Sequence, residues 1–301
     1  MIDLFARVIS DYTSSVDSQV FGQNLFKPSY ISGLGKYLID DTGFNPTVSS
    51  NFDSSNTELT SIGYGIGRAI AGVNTTLIVK QQDFLFLGLD QFINTLINLQ
   101  ESSSSYGYFR VICLISDIPK EGTQAFSNNL SLFASLSPLL KISYNYFDFS
   151  LKNSLFSPNN FCLNFLSQEH IYTDSVIKSS IFQSYQLDSL GNCLVGTDSS
   201  PSWHIIIGFI PSDIIKSLIG DFIVFPHQLT IDNIILLVKN FNNDQLPKEI
   251  FLHSSDSSAN LISQTIAFSI QSHFPQLKVS PIHYRTNCHS QFSLISQGVK
   301  S

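Results

Sequence analysis

The chain has 301 residues, a length for two ordinary domains of roughly 150 residues each. Charged residues make up 13%, about half the roughly 25% of an average soluble domain, while 43% are hydrophobic. The 16 basic residues face 23 acidic ones, a net charge of -7, and no cluster of Lys and Arg is present, which argues against a nucleic-acid partner.

No apolar run approaches the roughly 20 residues that cross a bilayer, so no membrane partner is expected. Residues 1–9 lack a basic region followed by a sustained apolar stretch, so no secretory signal is expected and the location is read as cytoplasmic. Cys113, Cys162, Cys193 and Cys288 are far apart, without Cys-x-x-Cys spacing. They read as reduced, buried thiols rather than a disulfide framework or a zinc site.

In chain order, residues 75–79 form a short β-branched run that predicts a strand. Apolar residues at helical spacing over 84–97 predict a helix. Strands follow at 109–115, 141–143 and 161–166, with a helix at 131–136. A stretch rich in Ser, Asp, Gln and Gly at 174–198 reads as a linker. Beyond it the alternation resumes: strand 204–208, helix 212–218, strand 222–225, helix 231–239, strand 249–253 and helix 259–272. This alternation predicts an α/β fold with an open, mostly parallel sheet and helices on both faces. Residues 1–180 are expected to form a first domain and 181–301 a second, smaller one.

The richest stretch runs from Ser55 to Gly72. Ser55 and Glu58 stand at capping-box spacing, in which Glu58 only satisfies backbone N–H groups at a helix start. Gly63, Gly67 and Ala71 recur every four residues, so they share one helix face. A face that small admits another backbone, as at a subunit contact. Gly63-x-Gly65-x-x-Arg68 fails the dinucleotide fingerprint at its third glycine. His283, Cys288 and His289 match no metal-site spacing. His204, beside Trp203, reads as a strand-edge or core residue. Asp90 and Gln91 read either as polar anchors at a subunit contact or as a solvated helix face.

Taken together, Glu58-x4-Gly63-x3-Gly67-x4-Gly72, a strand, and Asp83-Phe84-x5-Asp90-Gln91-x2-Asn94 resemble the pyrimidine-binding half of thiamine-diphosphate enzymes. The closest likeness is to the β subunit of 2-oxo acid dehydrogenases of the pyruvate, branched-chain and acetoin types. Residues 20–24 resemble the family's early strand and loop, and 253–281 its last helix and strand. The resemblance implies a doubly wound, pyrimidine-type thiamine-diphosphate-binding sheet plus a smaller C-terminal transketolase-like α/β domain. It implies that Glu58 hydrogen-bonds the aminopyrimidine ring and so promotes loss of the thiazolium proton, the cofactor itself carrying the hard chemistry. Phe84 and Ile62 are implied as cofactor contacts, with ordinary core as the other reading of Phe84.

The chain has no Gly-Asp-Gly motif for Mg²⁺ and the diphosphate; Gly220-Asp221-Phe222 does not match. The resemblance therefore implies a separate α-type subunit holding that half, a second copy of this chain in a heterotetramer, and an acyltransferase core as a further partner. Gln124 stands near where the family carries a substrate-facing His, and Gln cannot titrate. This departure favours a decarboxylating β subunit over full oxidative transfer. It leaves open the C-terminal half of a split transketolase or carboligase, and a non-catalytic scaffold subunit.

Overall fold

The structure, a computed structural model, describes residues 2–25, 34, 52–54, 57–100, 106–115, 133, 136, 140–172, 185–187, 192–196, 200–210, 212–218, 221–226, 230–240, 246–254 and 259–284. The chain divides into two compact units: Met1–Ser116 with Leu139–Tyr172, and Asp117–Pro138 with Thr173–Ser301.

The first unit holds a six-stranded sheet in the order β2-β1-β3-β4-β6-β5. Its strands are β1 (Gln19–Gly22), β2 (Phe52–Asp53), β3 (Thr75–Lys80), β4 (Phe109–Ile115), β5 (Lys141–Tyr144) and β6 (Phe161–Ser167). Every neighbouring pair is parallel. β4 and β6 are buried at all their positions, which is why they read as nearly unbroken apolar runs: both faces are covered. On one face α1 (Ile2–Ser15) sets Phe5, Ala6, Ile9 and Tyr12 against Ile78, Ile112 and Leu114. Leu151 and Leu155 of α3 (Asp148–Leu155) join the same cluster. On the other face α2 (Glu58–Ile70) and the helical segment 82–100 cover Phe109 and Val111. The unit is thus an α/β layer structure.

The second unit carries a mixed six-stranded sheet, β12-β11-β9-β10-β8-β7. β9 (Ser202–Ile207), β10 (Phe222–Phe225), β11 (Glu249–Ser254) and β12 (Lys278–His283) run parallel. β8 (Cys193–Val195) and β7 (Tyr185–Leu187) add antiparallel at one edge. Between strands lie α5 (Ser212–Ser217), α6 (Ile231–Asn240) and α7 (Ala259–His273), and α4 (Gln168–Tyr172) follows β6. No helix among the described residues is long and apolar enough to cross a membrane.

Four local expectations change. The stretch expected as a linker contains two short strands, β8 and the edge strand β7, which take their pairing from β10 and from each other. Residues 84–97 are helical but not regularly α: a 3-10 segment, Gln82–Gly88, is followed by a π segment, Gln91–Ile97. The change of winding directs Leu85, Phe92 and Leu96 all to the buried side. α2 begins at Glu58 itself, and its N-cap Thr57 makes no side-chain cap bond; Ser55 of the expected capping box lies outside the described residues. Helices α1 and α3 have no counterpart in the elements expected from sequence. The helix expected at 131–136 lies outside the described residues except for Phe133 and Leu136, both helical.

The glycines of α2 separate sharply. A Cβ on Gly65 would sit 2.1 Å from the Phe109 ring, whereas one on Gly67 would meet nothing within 4 Å. Gly65→Ala is expected to destabilise the chain by about 1–3 kcal/mol through overpacking. Gly67→Ala is expected to stabilise it by up to about 1 kcal/mol through helix propensity. Urea unfolding of the two variants reads both signs; equal shifts would refute the assignment of the close contact to Gly65.

Candidate functional site

The order β2-β1-β3 places a reversal of winding between β1 and β3, because the chain moves outward from β1 to β2 and then returns to the other side. In open α/β sheets the crevice beyond the carboxyl ends at such a point is where ligands bind. β1 and β3 approach unusually closely there: a Cβ on Gly22 would lie 2.2 Å from the Ile78 carbonyl oxygen, so only glycine fits.

The segments leaving these strands carry the polar groups. Gln23 follows β1 directly. β2 exits alongside, where Ser54 N–H donates to the Gly22 carbonyl at 2.8 Å. α2 is then fixed over β1 by Tyr64, whose hydroxyl donates to Gln19 at 3.1 Å and whose ring meets Phe21 edge-on at 5.2 Å. This places Glu58, the first residue of α2, within reach of Gln23: Gln23 Nε2 donates to Glu58 Oε1 at 2.5 Å. Glu58 is only 5% exposed. Its carboxylate also sits at a helix N-terminus, where the helix dipole favours negative charge.

At the end of β3 the backbone is strained. Gln81 takes φ +72, in the left-handed region that non-glycine residues seldom occupy. Its N–H donates to Leu114 of β4 at 2.7 Å. Gln82 is 2% exposed, and neither its Nε2 nor its Oε1 finds a hydrogen-bond partner among the described residues. Buried amides are normally satisfied, so an orphaned carboxamide beside a strand end marks a place where an outside group can complete it.

The expected site residues distribute as follows. Glu58 and Ile62 are four apart on the buried side of α2. Ile62 is fully buried and faces Gly88, where an added Cβ would lie 2.2 Å from its Cδ1. Phe84 is half-buried in the 3-10 segment that packs against α2. Gln124 lies outside the described residues. Asp90 is exposed and accepts from Asn94 Nδ2 at 2.6 Å, and Gln91 accepts a long 3.4 Å bond from Thr95. Gln23, Gln81 and Gln82 were not anticipated as site residues; their only sequence signal is their place just after a strand.

Cys113, Cys162 and Cys193 are free and buried. Burial pushes the Cys113 thiol well up, and the facing Asp83 carboxylate adds to this. A neutral thiol is a poor nucleophile. Cys288 and His289 lie outside the described residues. No protein-family model matches the chain, and no curated protein matches its sequence.

Proposed function

We propose that the chain is the β subunit of a thiamine-diphosphate-dependent 2-oxo acid decarboxylating enzyme, of the dehydrogenase type, working with a separate α-type subunit. The observation that carries this reading is the buried Glu58 carboxylate beyond the ends of β1 and β3, held by Gln23 at 2.5 Å. The residues present suit the pyrimidine half of the cofactor. Glu58 would bond its ring nitrogen and hold a proton there, Phe84 and Ile62 would supply apolar contact, and Gln124 would face the substrate. When bound, the cofactor supplies the electron sink that decarboxylation of a 2-oxo acid needs.

No Gly-Asp-Gly motif occurs in the chain, so Mg²⁺ and the diphosphate belong to the α-type partner. Two such pairs would form a heterotetramer, on an acyltransferase core where the reaction is oxidative, in the cytoplasm. Under this reading the fold is the doubly wound pyrimidine-binding type with a transketolase-like second domain. A carboligase built on the same cofactor is the neighbouring reading.

A scaffold role is favoured by one separate observation. Leu59 and Ile70 are about half exposed on the same side of α2 as the open Gly67, a surface suited to another helix.

The test is to purify the full chain from its own cells and titrate the product with thiamine diphosphate and Mg²⁺ in a calorimeter. A second polypeptide carrying Gly-Asp-Gly followed by Asn, and saturable cofactor binding by the pair, are expected. A pure single chain, or a pair that binds no cofactor, would overturn the enzymatic reading.

A further inference from the structure

The second unit contains a line of polar side chains that the proposed function does not use. His204 on β9 and His253 on β11 are both buried, and His204 Nδ1 lies 2.8 Å from His253 Nε2. His253 Nδ1 in turn lies 2.6 Å from the Tyr284 hydroxyl. At the other end His204 Nε2 faces Asp221 Oδ2 at 3.5 Å. Register explains the alignment: His204 pairs with Phe251 across β9–β11, so His253, two residues on, stands on the same sheet face. The His253 and Tyr284 rings are stacked at an interplanar angle of 5°, and His204 stacks on Phe251 at 18°.

The donor and acceptor inventory fixes the direction of this chain. A carboxylate opposite His204 Nε2 requires a proton on that nitrogen, because a lone pair there would face negative charge. In a neutral ring the Nδ1 of His204 is then an acceptor. His253 must donate to it from Nε2, which leaves His253 Nδ1 as an acceptor for the Tyr284 O–H. All protons point toward Asp221, and the Tyr284 oxygen keeps only acceptor capacity for anything outside.

We propose that Tyr284, His253, His204 and Asp221 form a two-state hydrogen-bond chain whose direction reverses on uptake of one proton, turning the Tyr284 hydroxyl from acceptor to donor on this face of the second sheet. The protons balance without loss. The incoming proton becomes the new Tyr284 hydroxyl proton, the old one passes to His253 Nδ1, and the His253 Nε2 proton passes to His204 Nδ1. His204 is then a cation with both nitrogens protonated, donating to His253 and facing Asp221. His253 remains neutral but has exchanged one tautomer for the other.

The surroundings select His204 as the ring that charges. Burial lowers the affinity of both rings for a proton. For His204 the Asp221 carboxylate opposes this, whereas His253 is pulled down to about 4 by burial and then by His204 itself. Asp221 is half-exposed, so the far end of the chain meets solvent. Among the described strand residues the other charged side chains on this face are Glu249 and Lys278, which pair with each other at 2.7 Å. α7 packs on the opposite face, where Ser263 and Ser254 bond at 3.2 Å. Its one titratable side chain, His273, is exposed at its C-terminus.

Imidazole nitrogen shifts of the 15N-labelled full chain test the proposal, with His204→Gln and His253→Gln variants assigning the signals. Near neutral pH both rings are expected as Nε2–H tautomers. On acidification His204 is expected to take cationic shifts while His253 changes to Nδ1–H. Asp221→Asn, at a half-exposed position, is expected to lower the His204 midpoint by about one pH unit. An Nδ1–H tautomer of His253 at neutral pH would overturn the proposal. So would Nε2–H tautomers that persist until the chain unfolds, or a midpoint unchanged in Asp221→Asn.

Discussion

Under the thiamine-diphosphate reading proposed above, Glu58→Gln is expected to lower kcat of the chain with its α-type partner by roughly 10²- to 10⁴-fold, the range for losing one positioned proton-transfer group. The substitution isolates the chemistry from the fold. The replacement carboxamide would still present a carbonyl oxygen to Gln23 Nε2, so the contact at 2.5 Å has a counterpart in the variant. It would keep nearly the same volume at a site that is 5% exposed. What a carboxamide cannot do is share a proton with a ring nitrogen. Thermal unfolding of the chain is therefore expected to change little, within the small range of substitutions that leave packing intact. Carbon dioxide release from a 2-oxo acid by the complex, measured beside its melting temperature, separates the effects. Unchanged turnover in a complex that still assembles would remove Glu58 from the chemistry and leave the scaffold reading, for which the exposed Leu59 and Ile70 of α2 are the motive.

The parts of the fold that were legible in sequence are those whose pattern is local. β4 and β6 are apolar but for Arg110, Asn164 and Ser167, because helices cover both faces, and a run of that kind can be read without knowing its neighbours. α6 and α7 were legible from their periodicity. β7 and β8 were not: each has three residues in a polar stretch, and what makes them strands is pairing with residues elsewhere in the sheet. The same division holds at the site. Glu58 stood out because its spacing to Gly63, Gly67 and Asp83 is a local signal. Gln23 did not, because its bond to Glu58 spans 35 residues of sequence. His204 read as an isolated strand residue, since its partner His253 lies 49 positions away and Tyr284 a further 31 beyond that. Contacts made by the return of the chain to a neighbouring strand leave no spacing to read.

Arg110→Met is expected to cost the first unit about 3–5 kcal/mol of stability, the scale for leaving several buried carbonyl acceptors unsatisfied at about 1–3 kcal/mol each. Arg110 lies on β4 with no exposed surface. It meets backbone oxygens rather than a carboxylate. Nε donates to Leu155 at 2.9 Å, Nη2 to Ser157 at 2.9 Å, and Nη1 to Asn159 at 2.7 Å and Asn160 at 3.0 Å. Those carbonyls belong to the turn that carries the chain from α3 into β6. The guanidinium is also flanked by the Tyr12 ring of α1 at 5.6 Å and the Tyr108 ring at 4.7 Å. Burial pushes the Tyr12 phenol up to about 12, so that ring stays neutral and acts on the cation through its π face. Methionine fills similar space but leaves the turn's carbonyls without donors, and each unsatisfied buried acceptor is itself destabilising. At this size the loss corresponds to a fall in Tm of roughly 10 °C. Arg110→Lys keeps the charge but has no planar fork to span the turn, so it should recover only part of the loss. Calorimetric unfolding of both variants decides the matter. A methionine variant within about 0.5 kcal/mol of the parent, the range of ordinary surface changes, would show that the turn is held without the guanidinium.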